Sequence, residues 1–261
     1  MESTFLFQGK LASIFTTSFA VSLLGCFTHN PGKEHWKVFK HVIGYIKGTL
    51  DYGIMYKAGE ELNLVGYVDS DFAGCHNTRW STKGAIFLVA GGLVSWESKQ
   101  QDTVALSTVE AEYMAFSHAT TQALWISKYF SEVELPVPKP IIIFADNTGA
   151  ISNSLYNKNH WRTKHIDIWH YFVKERTASG EIAFKYIPLA DNVADILTKP
   201  LSREATHKLV SYMNLKSSYP SISVEEKCWK RQPNITPRIL NWSGTQGVGK
   251  LVGYLIKGVS I

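Results

Sequence analysis

Apolar and polar positions change their period along this chain. Over residues 31–48, "PGKEHWKVFKHVIGYIKG", Trp36, Phe39, Val42, Ile43 and Ile46 recur at helical spacing. Pro31-Gly32 punctuates the start and Gly48 follows the end, so the spacing predicts a helix. Residues 11–28, "LASIFTTSFAVSLLGCFT", predict a buried helix. Thr and Ser interrupt that run too often for a membrane span, and it lacks the basic leader and small-residue cleavage site of a signal peptide. From residue 62 the period becomes two. Leu62–Asp69, Ala85–Ala90 and Leu93–Trp96 read as strands, the last two joined by Gly91-Gly92 as a hairpin. Ser107 to about Ser131 is the longest helical segment. Ile141-Ile142-Ile143-Phe144 is apolar throughout, as in the middle of a sheet. Helices follow over 148–155 and 163–177, then a strand over Ile182–Ile187, and a last helix starts at Val193–Thr198. The order β-β-β-α-β-α-α-β-α predicts an α/β domain with a mixed sheet.

Composition narrows this. Apolar residues make up 45% of 261, a globular proportion. Cys26, Cys75 and Cys228 are scattered, with no CxxC pair, which excludes a zinc cluster or disulfide framework and fits a reducing compartment. Residues 61–150 hold five basic against ten acidic residues, and residues 151–215 hold nine against six. An acidic half beside a mildly basic half suits a metal site next to a polyanion groove. Residues 216–261, with seven basic against two acidic, show no sustained period. Their "GTQGVGK" lacks the ending and upstream strand of a phosphate loop.

Phosphodiester hydrolysis with two metal ions needs carboxylates on converging rigid elements. Four candidates stand at element ends. In "GYVDSDFAG", Asp69 and Asp71 both end the first strand, and a period of two puts them on one side, so spacing does not choose between them. The "YVD" there is not a polymerase signature, because Ser70 separates the acids and a polar turn follows. Glu110 and Glu112 are separable, since two residues on a helix turn about 200°. Ser107-Thr108-Val109-Glu110 fits a capping box, in which Glu110 reaches back to the Ser107 amide. Glu112 shares its face with Ala115, Phe116, Ala119 and Ala123 and is left for a site. Asp146 ends "IIIFA" and reads equally as a site acid or a helix cap. Asp191 reads as the cap of the last helix, with Asp195 in its first turn.

Taken together, "GYVDSDFAGC", "STKGAIFLVAGGLVSWESKQQDTVALSTVEAEYMA", "FADNTGAI", "RTKHIDIWHYFV" and "YIPLADNVADILTKPL" resemble the ribonuclease H domain of copia-type retrotransposon Pol polyproteins, over residues 62–213. "NPGKEHWKVFKHVIGYIKGTLDYGIMY" resembles the segment joining their reverse transcriptase to that domain. The resemblance implies a ribonuclease H-like fold: a five-stranded mixed sheet with helices on both faces, plus a helical N-terminal remnant. It implies three regions: 1–60, the end of the reverse transcriptase; 61–215, the ribonuclease H-like domain; and 216–261, a basic tail without an assigned role. It implies cleavage of the RNA strand of RNA–DNA hybrids with two Mg2+ ions, which Mn2+ can replace. Asp69, Glu112, Asp146 and Asp195 are then both catalytic residues and metal ligands, and Asp71 shapes the turn or supports the ligands from behind as a further acid. The match is what selects Asp69 over Asp71.

Substrate contacts implied by the resemblance are Arg79, Ser81, Thr82, Asn147, Arg162, Lys164 and His165, suited to phosphates and the 2′-hydroxyls of a hybrid. Trp80 and Lys83 depart from the family's Arg-Arg-Ser-Thr-Ser-Gly pattern, and no histidine stands in the loop before Asp195. The expected partners are an RNA–DNA hybrid and the parent polyprotein's reverse transcriptase, with no membrane and no small-molecule cofactor. The expected location is inside the cell: the cytoplasm, a virus-like particle or the nucleus. The alternative is an inactive remnant that keeps the fold and nucleic-acid binding. An integrase-type core is excluded by the order of acids, D…E…D…D rather than D…D…E.

Overall fold

The computed structural model describes residues 4–8, 11–57, 61–75, 78–155 and 167–217. The chain begins with β1 (Thr4–Gln8), α1 (Leu11–Gly25), α2 (Lys33–Gly48) and β2 (Tyr52–Lys57). A meander follows: β3 (Leu64–Asp71), β4 (Thr82–Val89) and β5 (Gly92–Gln100). Then come α3 (Thr108–Glu132), β6 (Ile141–Ala145), α4 (Thr148–Leu155), α5 (Asp167–Ala178) and β7 (Ile182–Tyr186). Two short 3-10 turns, Leu189–Asp191 and Val193–Leu197, lead to α6 (Arg203–Tyr212) and β8 (Leu215–Ser217).

The main sheet has the order β5-β4-β3-β6-β7. β3, β4 and β5 pair antiparallel, while β6 pairs parallel to both β3 and β7. It is the expected five-stranded mixed sheet. Alternation along β4 supplies both faces. Ala85, Phe87 and Val89 point into a core with Phe116, Ala119 and Val173 of α3 and α5. Ile86 and Leu88 point the other way, into a core with Phe15, Ile54, Val193, Leu197 and Leu209. Every other residue of a strand is therefore buried against a different set of helices, so β4 reads as an almost continuous apolar run.

Several expectations change. Residues 4–57 are not only helical: β1 and β2 pair antiparallel, and β2 pairs with β8, in a second sheet of three strands. This layer shares its core with the main sheet, through Phe15, Ile54 and Tyr56. α1 is only partly buried, in its first half. Ser13 and Thr17 are buried on one side, where Ser13 donates to the Thr49 carbonyl, and Phe15 on the other, against Trp96, while Ile14, Val21 and Leu23 are exposed. The apolar stripe of α2 also stays outside. Val42 is buried, but Trp36 is 59% and Ile43 49% exposed. The helical period was right, but the face it marks is uncovered.

The β4–β5 hairpin turns one residue earlier than expected. Ala90 (φ 49°) and Gly91 (φ 71°) occupy the two left-handed positions of the turn, and Gly92 already pairs with Val89. Gly92 is instead required by packing, because a side chain there would overlap the Tyr56 ring. Tyr56 completes that contact by donating its hydroxyl to the Leu93 carbonyl at 2.6 Å. Residues 193–198 form a 3-10 turn rather than the start of an α-helix, and α6 begins after Pro200.

Candidate active site

Acidic residues gather where the central strands end. Asp69 lies in the last turn of β3, 2% exposed, opposite Gly84 of β4. That glycine lets the 193–198 turn close onto the sheet. A Cβ at residue 84 would meet Thr198 Cγ2 at 2.7 Å and Leu197 Cβ at 3.0 Å. Thr198 then donates its hydroxyl to Asp69 Oδ2. Asp71 faces the following turn, where a side chain at Gly74 would collide with its carboxylate.

Helix α3 begins as the spacing predicts. Ser107 Oγ accepts from the Glu110 amide at 3.2 Å. The Glu110 carboxylate accepts from the Leu106 amide at 2.9 Å, one residue before the expected partner. Glu112 points into the site, 6% exposed, and accepts from the Ser70 amide. Gln101 ties the two elements together: its Nε2 donates to Ser70 Oγ at 3.1 Å and to the Ala111 carbonyl at 2.8 Å. At the end of β6, Asn147 Oδ1 accepts from the Ala150 amide at 3.0 Å and so caps α4. With the cap supplied by Asn147, Asp146 is left to face the cluster.

One oxygen each of Asp69, Glu112 and Asp146 lie within 4.8 Å of one another. Asp195 stands beside this trio, joined to it by Lys199. The Lys199 Nζ is 2.9 Å from Asp195 Oδ1 and 3.8 Å from Asp69 Oδ2. Asp191 is not the cap of the last turn. It pairs with Lys208 at 2.8 Å. The cap is Asn192, fully buried, whose Oδ1 accepts from the Ala194 amide at 3.2 Å and whose Nδ2 donates to the Val68 carbonyl at 3.0 Å.

The crowding shows in the proton affinities. Burial, then the charges of Asp69 and Asp146, raise Glu112 to about 9. Burial and Asp69 raise Asp195 to about 7, against the pull of Lys199. Asp146 and Asp71 are raised by burial and then by Asp69. Burial alone would lower Lys199, but Asp69 and Asp195 outweigh it and raise its pKa. Glu112 Oε2 is buried with no hydrogen-bond partner. A buried, unpartnered carboxylate oxygen beside two more carboxylates fits a hard divalent cation, which takes oxygen ligands.

The expected substrate contacts divide. Arg79 is exposed in the 72–81 turn with a left-handed backbone (φ 58°). Ser81 is fully buried, its Oγ accepting from the Ala73 amide at 3.1 Å, so it closes that turn and offers no surface to a substrate. Thr82 is also buried, opposite Asp71 in the sheet. Asn147 is half-buried and engaged as a cap. Arg162, Lys164 and His165 lie outside the described residues. The sequence reading did not single out Gln101, Asn192, Thr198 or Lys199. Asn192, Thr198 and Lys199 carry only the signal of polar side chains among apolar ones in "ADNVADILTKP", and Gln101, in the all-polar run "KQQDT", carries none.

A five-stranded mixed sheet between two helical layers, with acids at the ends of its central strands, defines a ribonuclease H-like fold. No family model matches the chain. It is 34% identical over 211 residues, 81% of its length, to the retrovirus-related Pol polyprotein from transposon RE2 of Arabidopsis thaliana. It is 36% identical over 184 residues, 70% of its length, to the Pol polyprotein from transposon TNT 1-94 of Nicotiana tabacum. The chain belongs to the retrovirus-related Pol polyproteins of copia-type transposons, and spans 14% of the length of each of these two. A third relative, named secreted RxLR effector protein 161, of Plasmopara viticola, is 45% identical over 108 residues, 41% of this chain and 76% of the relative. Among solved structures, the N-terminal ribonuclease H domain of a Mycobacterium tuberculosis protein is 13% identical, with a TM-score of 0.41, over 58% of this chain and 98% of that one. Among the described residues, no helix is long and apolar enough to cross a membrane.

Proposed function

We propose that residues 61–215 form a ribonuclease H that hydrolyses the RNA strand of RNA–DNA hybrids within a retrotransposon's reverse-transcription machinery inside the cell. The supporting observation is the convergence of Asp69, Glu112 and Asp146 within 4.8 Å, with Asp195 one ion pair away. Asp69, Glu112, Asp146 and Asp195 would hold Mg2+, or Mn2+ in its place. Bound there, divalent ions would supply an activated water and stabilise the leaving oxygen.

The protein's own contribution is placement. Thr198 fixes the Asp69 carboxylate, Gln101 sets α3 against β3 so that Glu112 faces inward, and Asn147 caps α4 so that Asp146 does not have to. Arg79, exposed in the turn that follows β3, would meet a phosphate of the hybrid. Residues 1–60 would be the end of the reverse transcriptase, which makes that enzyme the natural neighbour in the parent polyprotein.

The test is cleavage of a labelled RNA–DNA hybrid by the purified chain. Cleavage should require Mg2+ or Mn2+, spare duplex DNA, and fall by about 100-fold or more in Asp146→Asn. Folded protein that binds hybrid but does not cut it would leave only a nucleic-acid-binding remnant, and cutting unchanged by Asp146→Asn would overturn the carboxylate site.

A further inference from the structure

The acids at this site outnumber the cations around them, and among the described residues a single ammonium is ion-paired to them. Lys199 enters from the end of the 193–197 turn, with its Nζ 2.9 Å from Asp195 Oδ1 and 3.8 Å from Asp69 Oδ2. Its position is set by the backbone. The Lys199 amide donates to the Asp195 carbonyl at 3.2 Å, and its neighbour Thr198 is bound to Asp69 through its hydroxyl. Pro200 follows and ends the turn. The Lys199 side chain is 29% exposed, so its flexible stem has a way out towards solvent.

Asp69 and Asp195 are also carboxylates that a divalent ion would use. An ammonium left against Asp69 and Asp195 would repel a divalent ion brought to the same oxygens and would occupy its place. We propose that Lys199 is a resident counter-cation of the carboxylate site. It neutralises Asp69 and Asp195 while no metal is bound, withdraws when metal enters, and so sets the metal concentration at which the site fills. This rests on the metal-site reading above.

The inference differs from a plain structural ion pair in the sign of one effect. A lysine that only braces the turn would stabilise the protein equally with and without metal. A resident counter-cation stabilises the metal-free protein and opposes the metal. Lys199→Met keeps the apolar stem and removes the charge. In Mn2+ titrations of the full chain by calorimetry, K199M should bind about tenfold tighter than the wild type. Its thermal midpoint should be lower without metal and recover at saturating Mn2+. Lys199→Arg, which restores the charge, should return the affinity towards the wild-type value.

A second readout needs no variant. Acylation of Lys199 by an amine-directed reagent, followed by peptide mass spectrometry, should increase when Mn2+ is added to the wild-type protein. Unchanged or weaker Mn2+ binding by K199M, or labelling that ignores Mn2+, overturns the inference while the metal site stands. If neither wild type nor K199M binds Mn2+, the metal-site reading itself fails and takes this one with it.

Discussion

At the scale of single residues, neighbours decide which of two similar side chains reaches the site. Glu110 and Glu112 differ by two positions, yet one caps a helix and the other meets two aspartates. That separation was legible, because a helix turns about 100° per residue and the capping pattern claims Glu110. Asp69 and Asp71 were not separable by period, and what distinguishes them is contact: the Thr198 hydroxyl on one, the Gly74 turn under the other. The first contact joins segments 129 residues apart, which no local pattern announces, while the second is local to the turn. The raised acids make a prediction about pH. Glu112 ordinarily titrates at 4.5 and is raised to about 9 in the fold, and Asp195 from 3.8 to about 7. The folded protein therefore holds protons that the unfolded chain releases, so metal-free stability is fullest below about pH 4 for these groups and is lost as pH rises towards 9. Urea midpoints measured across that range without metal should fall with pH, and Glu112→Gln should flatten the slope. A slope unchanged in Glu112→Gln would contradict the assignment.

At the scale of elements, the strands and long helices follow from period alone, and the errors cluster at junctions. The hairpin shows why. Gly91-Gly92 is a turn signal on composition, but the turn uses Ala90 and Gly91, because Gly92 is committed to the space under Tyr56. A glycine kept for close packing looks the same in sequence as one kept for its backbone. The two are separable by substitution. Gly92→Ala forces the Tyr56 ring away and should cost about 1–3 kcal/mol. Gly91→Ala meets only a left-handed backbone penalty of about 1 kcal/mol. Chemical denaturation of the two variants checks the order, and a larger loss for Gly91→Ala would reverse the interpretation. The 193–198 turn was misread for a related reason. Its residues are helix-compatible, but Asn192 and Thr198 spend their side chains on β3, which holds the segment to a short 3-10 turn.

At the scale of the molecule, one sheet serves two cores, and the N-terminal layer belongs to the second. The resemblance implies a helical remnant over residues 1–60, and α2 does carry a clear apolar stripe. The stripe is exposed, and the layer joins the sheet through Phe15, Ile54 and Tyr56, with Phe15 edge-on to Trp96 at a centroid distance of 5.7 Å. Phe15→Ala should therefore lower the stability of the whole chain, by about 3–5 kcal/mol, in one cooperative transition. Two transitions, with the ribonuclease H-like part unmoved, would show that the layer folds by itself.

The bond from Thr198 to Asp69 spans 129 residues, and the one from Asn192 to Val68 spans 124. A ribosome adding about 5–20 residues per second takes roughly 6 to 26 seconds to cover the longer interval. Throughout that time the nascent chain carries Asp69 without the turn that completes its surroundings. The site is thus completed only after the segment carrying Asn192 and Thr198 has been made.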